Sequence, residues 1–278
     1  MLNILFLVLS KKIFASTVKL LHICFMITKP LSFFLFFLIL SYEGYSQQDS
    51  IPELITDRPD ATESSVLIPK GYFQIEMGSQ FSDGSVQEDL TYGTGLLRIG
   101  VLDNLEFRLG LDYTRSKVKK SISMEEYHSF SPLLVGFKVG IAQEKGILPE
   151  IALLSHLYLP YTSENYNATG IELRFAFSHT LSNRSGISYN LGAGWDGVNE
   201  SIQYIYTVSY GYSLTENLGW YVEIYGDIPE NIKATHFLDS GFTYKLASNF
   251  QIDAYIGTAI NNDPNLIMGA GFSYRIPN

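Results

Sequence analysis

The sequence predicts an all-β protein: a closed antiparallel transmembrane β-barrel of about twelve strands. Three observations lead there. Apolar and polar residues alternate through segments of ten or more positions, the mark of a strand with two unlike faces. Short and longer connections alternate strictly between those segments. Beyond the leader no apolar run reaches the ~20 residues that a spanning helix needs. Composition agrees: Tyr 19, Phe 18 and only 17% charged residues in 278, where soluble chains carry about a quarter charged.

The leader comes first. Met26–Ser46 has Lys29 as a positive start, an apolar core over Leu31–Leu40, and Gly44-Tyr45-Ser46 with small residues at −3 and −1. That pattern is a secretory signal peptide, with cleavage expected before Gln47. Residues 1–25 read as an upstream extension, with Met26 as an alternative start, so 1–46 are expected to be removed. Of the 19 basic and 28 acidic residues, four and one lie in 1–46, which leaves 15 and 27 and a net charge of −12. Nucleic-acid binding needs a basic face and is disfavoured. The single cysteine, Cys24, falls in the upstream extension, so neither disulfides nor thiolate metal sites are expected in the mature chain. The histidines are scattered, and no metal or cofactor is expected.

Residues 47–70 follow as a polar segment containing Pro52, Pro59 and Pro69, which is hard to pair in a sheet. It either folds into the barrel's mouth or lumen as a plug, with Arg58 pairing to wall carboxylates, or remains a solvated tail. Residues 71–278 form the barrel. Strands are expected near 71–82, 88–101, 104–116, 129–141, 147–159, 169–181, 185–196, 201–214, 217–227, 234–246, 249–260 and 266–276. Five connections are short, such as Leu102-Asp103-Asn104 and Ser182-Asn183-Arg184; six are usually longer, of which Lys117–His128 is the longest and most charged. Short turns at one rim and long loops at the other are the habit of outer-membrane barrels.

Periodicity assigns the faces. The third strand sets Leu105, Phe107, Leu109, Leu111 and Tyr113 against Glu106, Arg108, Gly110, Asp112 and Thr114. The sixth sets Ile171, Leu173, Phe175 and Phe177 against Glu172, Arg174 and Ser178, and the eighth alternates from Ile202 to Leu214 with only Ile205 out of place. The second and fourth are interrupted by Gly93, Gly95, Gly136, Gly140 and the Leu96-Leu97 pair, where bulges or close backbone packing are expected. A soluble sandwich would turn the apolar rows inward and bury the charges opposite them at great cost. Rows ending in Tyr113, Trp195, Tyr212, Trp220, Tyr244 and Tyr274 suit an interfacial aromatic belt instead.

Ile55-Thr56-Asp57-Arg58-Pro59-Asp60-Ala61-Thr62-Glu63-Ser64, then Pro69-Lys70-Gly71-Tyr72-Phe73-Gln74-Ile75-Glu76, precede and open the first strand. With the closing Gly271-Phe272-Ser273-Tyr274-Arg275, this pattern resembles the outer-membrane transporter family named for the meta-pathway of phenol degradation. The last residues, Ile276-Pro277-Asn278, depart from the terminal aromatic common in such barrels. The resemblance implies a bacterial outer-membrane location, contact with outer-membrane lipid and assembly by the insertion machinery. It marks Asp57, Arg58, Pro59, Asp60, Thr62 and Glu63 as the family motif, and these same residues lie in the segment read above as a candidate plug.

With apolar rows toward lipid, the lumen is expected to carry Gln74, Glu76, Glu106, Arg108, Asp112, Lys138, His156, Glu172, Arg174, Glu223, Tyr225, Asp227, Lys245, Asp253, Tyr255 and Arg275. Twelve strands leave a narrow or plugged passage, in which rings of charge select solutes. No histidine has the serine partner that lipid-hydrolysing barrels use, so the chain is not expected to be an enzyme. Two functions remain: a channel or transporter for small, apolar or aromatic solutes, and a closed structural or adhesion barrel acting through its loops.

Overall fold

The computed structural model describes residues 52–119, 123–163, 168–197, 201–261 and 263–276. The leader and residues 47–51 lie outside them. The described strands are β1 (Phe73–Asp83), β2 (Gln87–Leu102), β3 (Leu105–Lys119), β4 (Met124–Phe130), β5 (Leu133–Ala142), β6 (Glu150–Leu159), β7 (Gly170–Ser182), β8 (Ser185–Trp195), β9 (Gln203–Ser213), β10 (Leu218–Pro229), β11 (Thr235–Ala247), β12 (Phe250–Ala259) and β13 (Leu266–Ile276). Each pairs antiparallel with its sequence neighbours, apart from the β4–β5 break. β13 pairs with β1 from Phe73↔Ile276 to Asp83↔Leu266, which closes the ring. Closure satisfies the ladder hydrogen bonds that lipid cannot satisfy.

Twelve positions make the ring, and β4 with β5 fills one of them. The expected strand at 129–141 is thus two strands. β4 pairs with the outer half of β3, Tyr113↔Phe130 to Lys119↔Met124, while β5 pairs with the inner half, Leu105↔Val139 to Gly110↔Leu134. Between them stands Pro132, which has no N–H to give. The Ser131 hydroxyl accepts the Asp112 backbone N–H at 2.9 Å and its own N–H reaches the Asp112 carbonyl at 2.9 Å. The expected loop Lys117–His128 is correspondingly shorter, because β3 runs to Lys119 and β4 starts at Met124. Bulges fall at Thr91/Gly93 and Gly140/Ala142, in the two irregular strands.

The faces are inverted relative to a soluble protein. Phe137, Leu173, Phe175, Leu191, Leu238, Phe242 and Ile256 are 44–58% exposed, whereas Gln74, Glu76, Arg98, Glu106 and Lys138 are 0–1% exposed. Inward positions are polar and covered; outward positions are apolar and bare. A bilayer is the medium in which such an outer face is stable.

Candidate functional site

The barrel's inner charges are covered by the chain's own N-terminal segment. Residues 52–70 contain no strand; they enter at the short-turn end, rise to a bend at Pro59-Asp60 and return. Arg275 holds the entry by donating from Nη1 to the carbonyls of Pro52 (3.1 Å) and Glu53 (3.0 Å) and from Nε to Gln74 (3.0 Å). Lys245 pairs with Glu53 at 2.6 Å, and Gln74 donates to the Ile55 carbonyl at 2.9 Å. On the way out, the carbonyls of Ile68 and Pro69 press on Gly100, at a position where any Cβ would collide with them.

Asp57 is the centre of the rising arm. Its carboxylate meets Arg98 at 3.0 Å, Arg108 at 2.7 Å and Lys138 at 3.0 Å. The same carboxylate accepts the Ser64 N–H at 2.9 Å, tying the two arms together, and the Asp57 N–H donates to Glu76 at 3.1 Å. Arg98 also grips Glu106 through Nε (2.7 Å) and Nη2 (2.9 Å), and Glu106 accepts the Ile68 N–H at 2.9 Å. Four carboxylates, Asp57, Glu63, Glu76 and Glu106, thus interlock with Arg98, Arg108 and Lys138. Pairing and hydrogen bonding together are what make such burial tolerable.

Arg58 lies flat against the wall. Its guanidinium straddles Asp253 (Nη2 at 3.0 Å, Nε at 3.3 Å) and donates to Thr94 at 2.9 Å. Below it are Gly78 and Gly271, directly paired across β1 and β13. A side chain at either glycine would occupy the guanidinium's place.

The returning arm uses neutral groups more. Glu223 accepts the Ala61 N–H at 2.7 Å and the Thr62 hydroxyl. Asn190 brackets Glu63, accepting its N–H at 2.7 Å and donating to its carbonyl at 2.9 Å, while Arg108 reaches the Glu63 carboxylate at 2.8 Å. Ser65 bonds Glu150 at 2.9 Å and Ser178 at 2.7 Å. Glu172 pairs with Arg174 at 3.0 Å and with His156 at 3.4 Å.

On the long-loop side of the bend lies a cavity of about 610 Å³, within the range of small-molecule sites. Its floor is Asp57–Asp60 and Glu63; its walls include Leu96, Arg108, Asp112, Leu134, Tyr158, Arg174, Ile205, Asp227 and Tyr255. Of the expected lumen residues, Tyr225 and Asp227 alternate with Glu223 on the same inward face of β10. Arg98, Asn190 and Asp239 are inward and buried but escaped the sequence reading. Asp239 shares the parity of Lys245 on β11 and was findable by counting.

Residues 56–276 match the family model described as "Putative MetA-pathway of phenol degradation". The chain belongs to that family. No curated protein matches it in sequence. Among solved structures, this family member is similar to the COG4313 outer membrane channel from Pseudomonas putida F1, with 12% identity and a TM-score of 0.56 over 75% of this chain and 96% of that one. The KdgM porin aligns at 10% identity and a TM-score of 0.48, over 72% and 98% of the two chains. The first of these likenesses is one of fold: a barrel of the same kind.

Proposed function

We propose that the protein is an outer-membrane channel for small solutes, entered through the vestibule on the long-loop side and closed at rest by residues 52–70. The observation that carries this reading is the vestibule itself: an open half-lumen of solute size whose floor is the family motif, held by side-chain contacts rather than woven into the sheet. A barrel whose purpose was only structural would need no such chamber. The channel character of the similar barrel from Pseudomonas putida F1 supports the same reading. Leu96, Leu134, Tyr158 and Ile205 on the vestibule wall favour solutes with an apolar or aromatic body. Membrane lipid is the partner of the outer face, and the insertion machinery assembles it.

Single-channel recording in planar bilayers tests this directly. The full chain is expected to give small, infrequent openings, and Asp57→Ala is expected to raise open probability by about tenfold or more, as three cations lose their shared carboxylate. Folded protein that passes no current in either form overturns the channel. A closed barrel acting through its exterior would then stand, favoured by the β3–β4 hairpin that extends outward beyond the break at Pro132.

A further inference from the structure

Around the Pro59-Asp60 bend the lumen's charges are matched on one side and unmatched on the other. Every arginine on the vestibule is paired: Arg58 with Asp253, Arg108 with Asp57 and Glu63, Arg174 with Glu172. The wall that Asp60 faces, β9 to β11, has no such match. Asp60 bonds the Ser209 side chain, and the largest charges acting on it are two more carboxylates, Glu223 and Asp239; the Arg174 guanidinium acts on Glu223 and Asp227 without forming an ion pair with either. Glu223 and Asp239 are themselves directly paired across β10 and β11. Among the described residues, no lysine, arginine or histidine forms an ion pair with Asp60, Glu223 or Asp239.

A second observation is independent of charge. Asp239 is 4% exposed and its Oδ1 makes no hydrogen bond within 3.5 Å; the hydroxyl that acts on it is that of Tyr221, 6% exposed and likewise without a bond that short. Buried polar atoms are rarely left so. Aromatic rings complete the surroundings. Tyr225 stands between Glu223 and Asp227 on the inward face, about 6.6 Å from each along the strand, and stacks on Phe237 with centroids 4.8 Å apart. Tyr255 lines the same vestibule as Asp60 and Asp227.

We propose that this wall is a binding site for a small organic cation, an ammonium carried on an apolar or aromatic body. Asp60 and Asp227 receive the charge from the vestibule side, and Glu223 and Asp239 behind Asp60 deepen the negative field. Tyr225 and Tyr255 offer their rings, whose faces attract cations. The body of the solute lies against the apolar residues of the far wall. The site rests on the channel reading for its purpose, since it names the solute class, but binding is measurable without any current.

The test uses the full chain in detergent micelles and isothermal titration with three probes of one shape: benzylammonium, benzyl alcohol and benzoate. Benzylammonium is expected to bind at least about tenfold more tightly than benzyl alcohol, and benzoate not measurably. In Asp60→Asn/Asp239→Asn, with folding confirmed by heat-modifiable migration, the preference for benzylammonium is expected to fall by about fivefold or more. Should that pair fail to fold, Asp227→Asn alone is expected to weaken benzylammonium about twofold or more, leaving benzyl alcohol unchanged. Equal binding of amine and alcohol, tighter binding of benzoate, or an undiminished preference in the folded variants overturns the site. Binding without current removes the channel and keeps the site; current without amine binding does the reverse.

Discussion

Asp57 and Asp60 are three residues apart on the same segment, yet they meet opposite kinds of wall. Asp57 faces β2, β3 and β5, where Arg98, Arg108 and Lys138 converge on it within 3.0 Å. Asp60 faces β9 to β11, where a hydroxyl and two carboxylates await it. A buried carboxylate among three cations holds its place, because leaving would strand all three charges in a covered site. A carboxylate set against two others gains nothing comparable from staying. The difference teaches that the first arm is held by charge at Asp57, while the bend is held by hydrogen bonds of Ala61 and Thr62 to Glu223. One side fixes the segment; the other carries the proposed cation site.

The largest effect is expected on the anchored side. Arg98→Ala leaves Asp57, Glu76 and Glu106 without their shared guanidinium, and removing one partner of a buried pair costs about 3–5 kcal/mol. Guanidinium unfolding in micelles, followed by the fluorescence of Trp195 and Trp220, measures it. A loss below about 1 kcal/mol would show that the cluster does not anchor the segment. Next comes the seat of Arg58. Gly271→Val places a side chain where the guanidinium lies, and overfilling a packed site costs about 1–3 kcal/mol. Raised open probability in bilayers is expected with it, since Arg58 must leave Asp253.

These contacts also show how far the sequence could be read. The third strand's Leu105/Glu106 to Tyr113/Thr114 alternation identifies its faces without help, and so do the sixth and eighth. Closure follows from turn lengths that alternate all the way round. The second strand hid Arg98 because the bulge at Tyr92 shifts its register and Leu96-Leu97 presents one apolar residue to each side. A period-two count run through a bulge loses the parity of everything beyond it. The split of the fourth strand was foreshadowed by Pro132, whose missing N–H breaks a ladder. For residues 52–70 the sequence left the lumen, with Arg58 on wall carboxylates, and a solvated tail as alternatives, and which strands each residue would meet was not legible. Asp57 meets Arg108 and Lys138 from 51 and 81 positions away, and no local pattern records which wall a prolyl segment will touch.

Asn190 gives an intermediate case on the returning arm. It satisfies both backbone groups of Glu63, so Asn190→Ala leaves a covered N–H and C=O unpaired at about 1–3 kcal/mol. The same unfolding assay is expected to place it between Arg98→Ala and any change on the acidic wall.

The smallest expected effect belongs to Glu223→Gln. The amide keeps one oxygen for the Ala61 N–H, which bonds Oε2, and its NH2 can donate to the Thr62 hydroxyl, which now donates to Oε1, while the substitution removes a charge that faces Asp239 directly across the strands and Asp60 from the segment. Lost repulsion offsets a weaker hydrogen bond, so the change in unfolding free energy is expected to stay within about 1 kcal/mol, with stabilisation the favoured sign. A loss comparable to that of Arg98→Ala would mean that Glu223 has a cationic partner in the folded protein, and the two walls would then be alike. If the substitution stabilises instead, the carboxylate is being kept at the expense of stability, as a group that receives a solute rather than one that holds the barrel together.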